Sequence, residues 1–152
     1  MDNIVIVRGG GDLASGVIHK LHRCNIKVVV LECKHPTAIR RTVSFCNAVF
    51  ENEMVVEGVK CRLASNIEEI YQILEDGDIP LIIDEECEML SQIKPVALID
   101  AIIAKKNIGT NIDMAPITIA LGPGFEAGKD VHAVIETKSY GVCYIAGSGS
   151  DL

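Results

Sequence analysis

Apolar positions along the chain follow two rhythms. Residues 4–7 (IVIV) and 28–31 (VVVL) are unbroken aliphatic runs, the mark of strands covered on both faces. Between them Leu13, Val17 and Leu21 recur at every fourth position with Ala14 and Ile18 beside them, which predicts an amphipathic helix. Strand, turn, helix and strand make a βαβ unit of about thirty residues with a right-handed crossover. Pro36 stops helical structure just before it, and a short helix or ordered loop is expected over 37–46. Residues 54–63, around Gly58, predict a hairpin or a short strand. Asn66 is placed to cap a helix that runs through Glu75 and closes at Gly77. A strand over 81–83, a short helix over 88–93 ended by Pro95, and a strand over 96–99 leading to Asp100 continue the alternation.

Beyond Lys106 the rhythm changes. "NIGTNIDMAP" is a long polar connection, and 117–121, 131–136 and 142–145 are strand-like runs with no helix between them, for which antiparallel pairing is expected. The pattern predicts an α/β fold: a Rossmann-like parallel sheet flanked by helices over 1–106, with a C-terminal antiparallel β extension of the same domain over 107–152. No internal repeat or low-complexity tract interrupts it, and the closing "SGSDL" reads as a loose end.

Composition sharpens this picture. The 152 residues suit one domain with a core of its own, and 49% hydrophobic against 4% aromatic residues means that Val, Ile, Leu and Ala must build it. A formal charge of −7 argues against nucleic acid or an anionic membrane as the main partner. Asp2 stands where a secretory signal needs a basic region, and no apolar run reaches membrane-spanning length, so a cytoplasmic protein is expected. Six cysteines (Cys24, Cys33, Cys46, Cys61, Cys87 and Cys143) form no C-x-x-C pair, which leaves free, mostly buried thiols rather than a zinc knuckle or a redox pair.

The chemistry concentrates at the first turn. Gly9-Gly10-Gly11-Asp12-Leu13-Ala14 fits G-x-G-x-x-G/A, with Gly16 a further small position one turn on. Unpaired N–H groups at the start of the following helix, at the positive end of its dipole, suit phosphate oxygens. Glu32, at the end of the second strand and about twenty residues after Gly11, is placed to accept from a ribose 2′-hydroxyl, and it would repel a 2′-phosphate. The same glycines would also serve a plain strand-to-helix turn with Asp12 as N-cap. Arg8 stands where an apolar residue is usual, to reach a phosphate or to pair with Asp12. One of Arg40 and Arg41 is expected to reach over the carboxyl edge of the sheet to the same phosphates, the other being solvated.

A second glycine stretch, "LGPGFEAGKD", is no Walker loop, because Pro123 and Asp130 stand where that loop needs Gly and Ser or Thr, and a strand follows where it needs a helix. It is either a rigid turn or a ligand-facing loop in which Gly122, Gly124 and Lys129 meet an anion. His19, His22 and Cys24 lack a further ligand at metal-binding spacing and read as solvated helix residues. Asp84, Glu85, Glu86 and Glu88 follow a strand at the edge where Mg²⁺ could bind, but they suit an acidic helix start better, so no metal is assigned. No Ser-His-Asp or Cys-His set can be placed from spacing.

With "RGGGDLASGVIHKL", "IRRTVSF", "VVEGV" and "IGTNIDMAPITIALGPGFEAGKDVHAVIET" in view, the chain resembles the selenium-dependent molybdenum hydroxylase accessory family of YqeB type, itself similar to the xanthine dehydrogenase accessory factors (XdhC/CoxI). The likeness covers residue 4 to about 137. It implies a Rossmann-like protein associated with the maturation of molybdenum hydroxylases that handles a molybdopterin dinucleotide, and it places interest on residues 9–12, Arg40, Arg41 and 122–130. Joined to the glycine loop, it makes a non-catalytic maturation factor binding such a dinucleotide or NAD(H) the leading expectation. The partners it implies are a molybdenum hydroxylase apo-enzyme and a dinucleotide ligand; a homodimer is a further expectation, and nucleic acid and membrane are not expected. Family members run on after "VIET" with an Arg-Gly-His stretch where this chain has Lys138-Ser139-Tyr140-Gly141, which predicts a shortened member or a fragment. An NAD-dependent oxidoreductase and a nucleotide-sensing regulatory module are the alternatives, and no His, Lys or Tyr is visibly placed as proton donor for the former.

Overall fold

The aliphatic runs are unbroken because both faces of each central strand are covered. In the computed structural model, which describes residues 3–38, 40–137 and 143–146, β1 (Ile4–Arg8) and β2 (Lys27–Glu32) lie side by side and parallel. Alternate residues then leave to opposite faces. Val5, Val7, Val28 and Val30 pack with Ala14 and Ile18 of α1 (Asp12–Arg23) and with Phe45; Ile4, Ile6, Val29 and Leu31 pack with Ile70, Ile73 and Leu74 of α3 (Ile67–Glu75). Ile18 and Ile70 are fully buried, each worth about 2–3 kcal/mol of transfer free energy, so each helix is anchored by its own apolar stripe.

The segment after β2 forms 3₁₀ turns at Arg41–Val43 and Phe45–Asn47 and a single α-helical turn, α2 (Ala48–Glu51). A hairpin follows, β3 (Glu53–Val56) and β4 (Val59–Ala64), closed by Glu57-Gly58 with Val56 opposite Val59. The Asn66 side chain caps α3 by accepting from the Glu69 N–H at 2.9 Å, as its position predicts. Then come β5 (Ile79–Ile83), a 3₁₀ turn at Glu88–Ser91, β6 (Ala97–Asp100), another at Ile112–Met114, β7 (Ile117–Leu121), β8 (Ala133–Thr137) and β9 (Cys143–Ala146).

The described strands form one sheet in the order β3-β4-β5-β2-β1-β6-β7-β8-β9. It runs without a break across residue 107, and its C-terminal pairing corrects one expectation. β7 lies parallel to both β6 and β8, and of the described strands after residue 107 only β8 and β9 pair antiparallel. A missing helix does not force a hairpin: the connection 122–132, at about 3.3 Å per extended residue, is long enough to carry the chain back along a five-residue strand. Asp2, residues 138–142 and "SGSDL" lie outside the described residues, as does the Cys143 thiol. Among the described residues no helix is long and apolar enough to cross a membrane.

Candidate functional site at the carboxyl edge of the sheet

The order of strands reverses at β1: β2 and β5 lie on one side of it, β6 and β7 on the other. In open α/β sheets that reversal opens the crevice where ligands bind. The three glycines sit at it and differ in their surroundings. Gly9 donates its N–H to the Leu31 carbonyl at 2.8 Å, has φ +100°, and lies so close to the next chain segment that a Cβ would be 3.0 Å from the Ala101 carbonyl oxygen. Gly10 donates to Glu32 Oε2 at 2.7 Å and accepts from the Cys46 N–H at 2.8 Å and the Ser15 hydroxyl at 3.0 Å. Gly11 has an ordinary φ of −73° and open space around it.

Gly11, not Asp12, is the N-cap of α1, and Asp12 is the first helical residue. The first backbone donor of the helix to find a carbonyl is Ser15, bonded to Gly11 at 2.8 Å; among the described residues the N–H groups of Asp12, Leu13 and Ala14 have no acceptor. The Asp12 carboxylate turns aside to Ser44. The Ser44 hydroxyl lies 2.6 Å from Asp12 Oδ1 and 2.7 Å from the Arg40 carbonyl, so its single hydrogen serves one of two acceptors at a time. This hydrogen bond, with help from Arg40, holds the Asp12 carboxyl below the usual carboxylate range.

Glu32 is held from two sides. Gly10 and Cys33 donate backbone N–H groups to its two oxygens at 2.7 and 2.8 Å, which fixes the carboxylate and leaves a further lone pair on each oxygen. It borders a mainly apolar cavity of about 270 Å³ at the ends of β1, β2 and β5, walled by Leu31, Cys33, Ile102 and Ile108. Burial, reinforced by Glu32, pushes the Cys33 thiol up, and burial raises Cys46 to about 11, so both thiols beside the loop are protonated at neutral pH.

Arg8 does not reach outward, and it does not pair with Asp12. Only 5% exposed, it donates from Nη1 to the Ile108 carbonyl at 3.1 Å and the Thr110 hydroxyl at 2.7 Å, and from Nη2 to the Glu85 carbonyl at 3.1 Å. Thr110 passes the contact on, donating to Asp100 Oδ2 at 2.5 Å, and Asp100 is Arg8's register partner on β6. A strand with neighbours on both sides turns its last side chain into the connections above it, and here those connections supply the acceptors.

The two arginines separate. Arg40 places Nε 3.2 Å from Asp12 Oδ2, at the start of α1, and its side chain is 69% exposed; Arg41 lies over the Phe50 ring, 5.0 Å from its centroid. In the second glycine stretch, a Cβ on Gly124 would be 2.6 Å from Lys106 Cα, and one on Gly122 would be 3.6 Å from Ile103. Residues 101–110 touch both that stretch and the first glycine turn. Lys129 stays apart, 75% exposed and 3.9 Å from Glu126. Asp84 accepts from the N–H groups of Glu88 and Met89, both at 2.8 Å, so it caps the 3₁₀ turn as an acidic helix start should. His19 lies 3.4 Å from the Glu57 carbonyl, and burial pushes His22 down. Among the described residues no group of three or more His, Cys, Asp and Glu side chains is arranged to hold a metal ion.

Three contributors carry no signal in the sequence: Ser44, the Cys46 N–H, and Thr110. Each acts from an aperiodic connection, and only the polar ends of two aliphatic runs, Arg8 and Asp100, hint at the last. Compared with known proteins, the chain is 54% identical over 134 residues, 88% of its length, to the protein of Escherichia coli strain K12 named uncharacterized protein YqeB. It spans about a quarter of that relative's length, 25%. No family model and no solved structure matches it.

Proposed function

We propose that this chain binds a nucleotide cofactor at the Gly9 to Gly11 turn and serves, without transforming that cofactor, in the maturation of molybdenum hydroxylases of xanthine dehydrogenase type. The observation that carries the ligand half is Glu32: a carboxylate fixed by the glycine turn itself, standing at a mainly apolar cavity, beside helix N–H groups that have no acceptor among the described residues. A sugar hydroxyl on Glu32, a base in the cavity and phosphate oxygens at the start of α1 use all three. The pathway half rests on the resemblance of motifs such as "LGPGFEAGKDVHAVIET" to the selenium-dependent accessory family, with which the likeness to YqeB is consistent. A molybdopterin dinucleotide or NAD(H) fits the carboxylate better than NADP, whose 2′-phosphate would face it. A binding role is favoured over an oxidoreductase because Glu32 and Asp84 are both engaged by backbone N–H groups and the Cys33 thiol is raised.

The test is calorimetric titration and melting temperature with NAD, NADP, FAD and a molybdopterin dinucleotide. NAD is expected to bind at least tenfold more tightly than NADP, and Glu32→Gln to lose about tenfold in NAD affinity, near 1.4 kcal/mol, while narrowing that gap. A protein whose melting temperature none of the four ligands moves would overturn the reading.

A separate pair of variants addresses the phosphates. Arg40→Ala should weaken binding several-fold at low salt and by less at high salt, since an exposed cation acts through a screened field. Arg41→Ala, whose guanidinium is occupied by Phe50, should bind like the parent. Equal titration curves for both would show that the glycine turn acts alone.

A further inference from the structure

A dinucleotide laid along the edge of an open α/β sheet puts one half on each side of the strand where the order reverses. Here the two sides differ. On the β2 and β5 side lies the cavity beside Glu32, about 270 Å³, slightly below the roughly 300–1,000 Å³ of ordinary ligand clefts and room for one nucleoside. On the β6 and β7 side the space is taken by the chain. Residues 101–110 run as a strap over the strand ends from Gly9, where its backbone stands 3.0 Å from the Cβ position, to Gly124, where the corresponding distance is 2.6 Å. Only glycine permits either approach.

The strap is pinned along its length. Ala101 donates to the Arg8 carbonyl at 2.9 Å and Ile102 to Asp100 Oδ1 at 3.1 Å; Arg8 holds Ile108 and Thr110; Asn107 and Thr110 exchange side-chain and backbone bonds at 2.7 and 2.8 Å. Ile102 and Ile108 meanwhile form a wall of the Glu32 cavity, so the strap closes that cavity on the side where a second half would continue.

We infer that the protein engages its ligand through a single nucleoside diphosphate moiety, and that whatever is attached beyond the second phosphate stays outside the protein, free for another molecule to take. This rests on the proposed nucleotide site at Glu32 and specifies which part of the ligand that site reads. It also suits a factor that hands a cofactor on, since the outer group is never enclosed.

The test is calorimetric titration of the full chain with paired probes: ADP and NAD, CDP and CDP-choline, GDP and GDP-mannose, UDP and UDP-glucose. For the base the cavity prefers, the short and the extended probe should bind within threefold of each other. Backbone amide shifts should move at residues 31–33 and at 84–85, and stay still at 122–124. An extended probe binding tenfold or more tightly than its diphosphate, with shifts reaching 122–124, overturns the single-moiety inference and leaves the nucleotide site standing. Failure of all eight probes at millimolar concentration overturns both.

Discussion

Gly9→Ala is expected to cost about 3 kcal/mol of folding stability, while Gly11→Ala, two residues on, changes it by no more than about 0.5 kcal/mol. Gly9 sits at φ +100°, where an L side chain is strained, and its Cβ would meet a backbone carbonyl rather than a yielding side chain. Neither neighbour can relax cheaply, because Gly9 is bonded to Leu31 and the Ala101 amide to Arg8. Gly11 has an extended backbone of φ −73° and ψ −164°, and among the described residues no heavy atom beyond its own chain neighbours lies within 4 Å of the added carbon. Against a typical stability of about 5–15 kcal/mol the first loss is a large share, readable as a drop in the urea midpoint at constant slope. The two positions exchange roles for binding. Gly11→Val should keep the fold yet lose at least tenfold in nucleotide affinity, because its side chain enters the open space beside the start of α1. A Gly9→Ala variant as stable as the parent would show that the strap does not pack on the turn, and a Gly11→Val variant with unchanged affinity would place the phosphates elsewhere.

That contrast marks where the sequence is legible. β1, α1, β2 and the α3 cap could be read because each is fixed locally, by side-chain periodicity and by an Asn at a helix start. The motif G-x-G-x-x-A located the turn and paired it with Glu32, and the structure does bring Gly10 and Glu32 to 2.7 Å. It could not tell three adjacent glycines apart, since what distinguishes them is Ala101 and Cys46, distant in sequence. The direction of β8 was equally out of reach, because connection 122–132 allows either pairing and contacts made elsewhere decide. Residues 40–47 and 101–110 have no period to read. Both are held by hydrogen bonds to the glycine turn or to Arg8, and Ile103, at φ +56°, takes a backbone conformation that its own β-branched side chain disfavours.

Arg8→Met should then be the most damaging change of a charged residue, at about 3–5 kcal/mol. Methionine reproduces the unbranched apolar stem of arginine but stops short of the guanidinium and supplies no donor. The Ile108 and Glu85 carbonyls lose their partner, and Asp100, only 2% exposed, keeps the Thr110 hydroxyl and the Ile102 N–H with no cation near the end of that relay. An unbalanced buried carboxylate is the larger part of the loss, so replacing it as well should help. The double variant Arg8→Met with Asp100→Asn is expected to regain at least about 1 kcal/mol over the single one, a coupling that residues without a shared network would not show. Amide hydrogen exchange gives the local reading: Thr110, whose N–H bonds to Asn107 Oδ1 at 2.8 Å, should exchange faster by a factor of ten or more, while Ile6 and Val29 in the sheet centre follow global stability alone. If the single variant lost less than about 1 kcal/mol and Thr110 kept its protection, the strap would be held by its packing on Gly9 and Gly124 and not by the guanidinium.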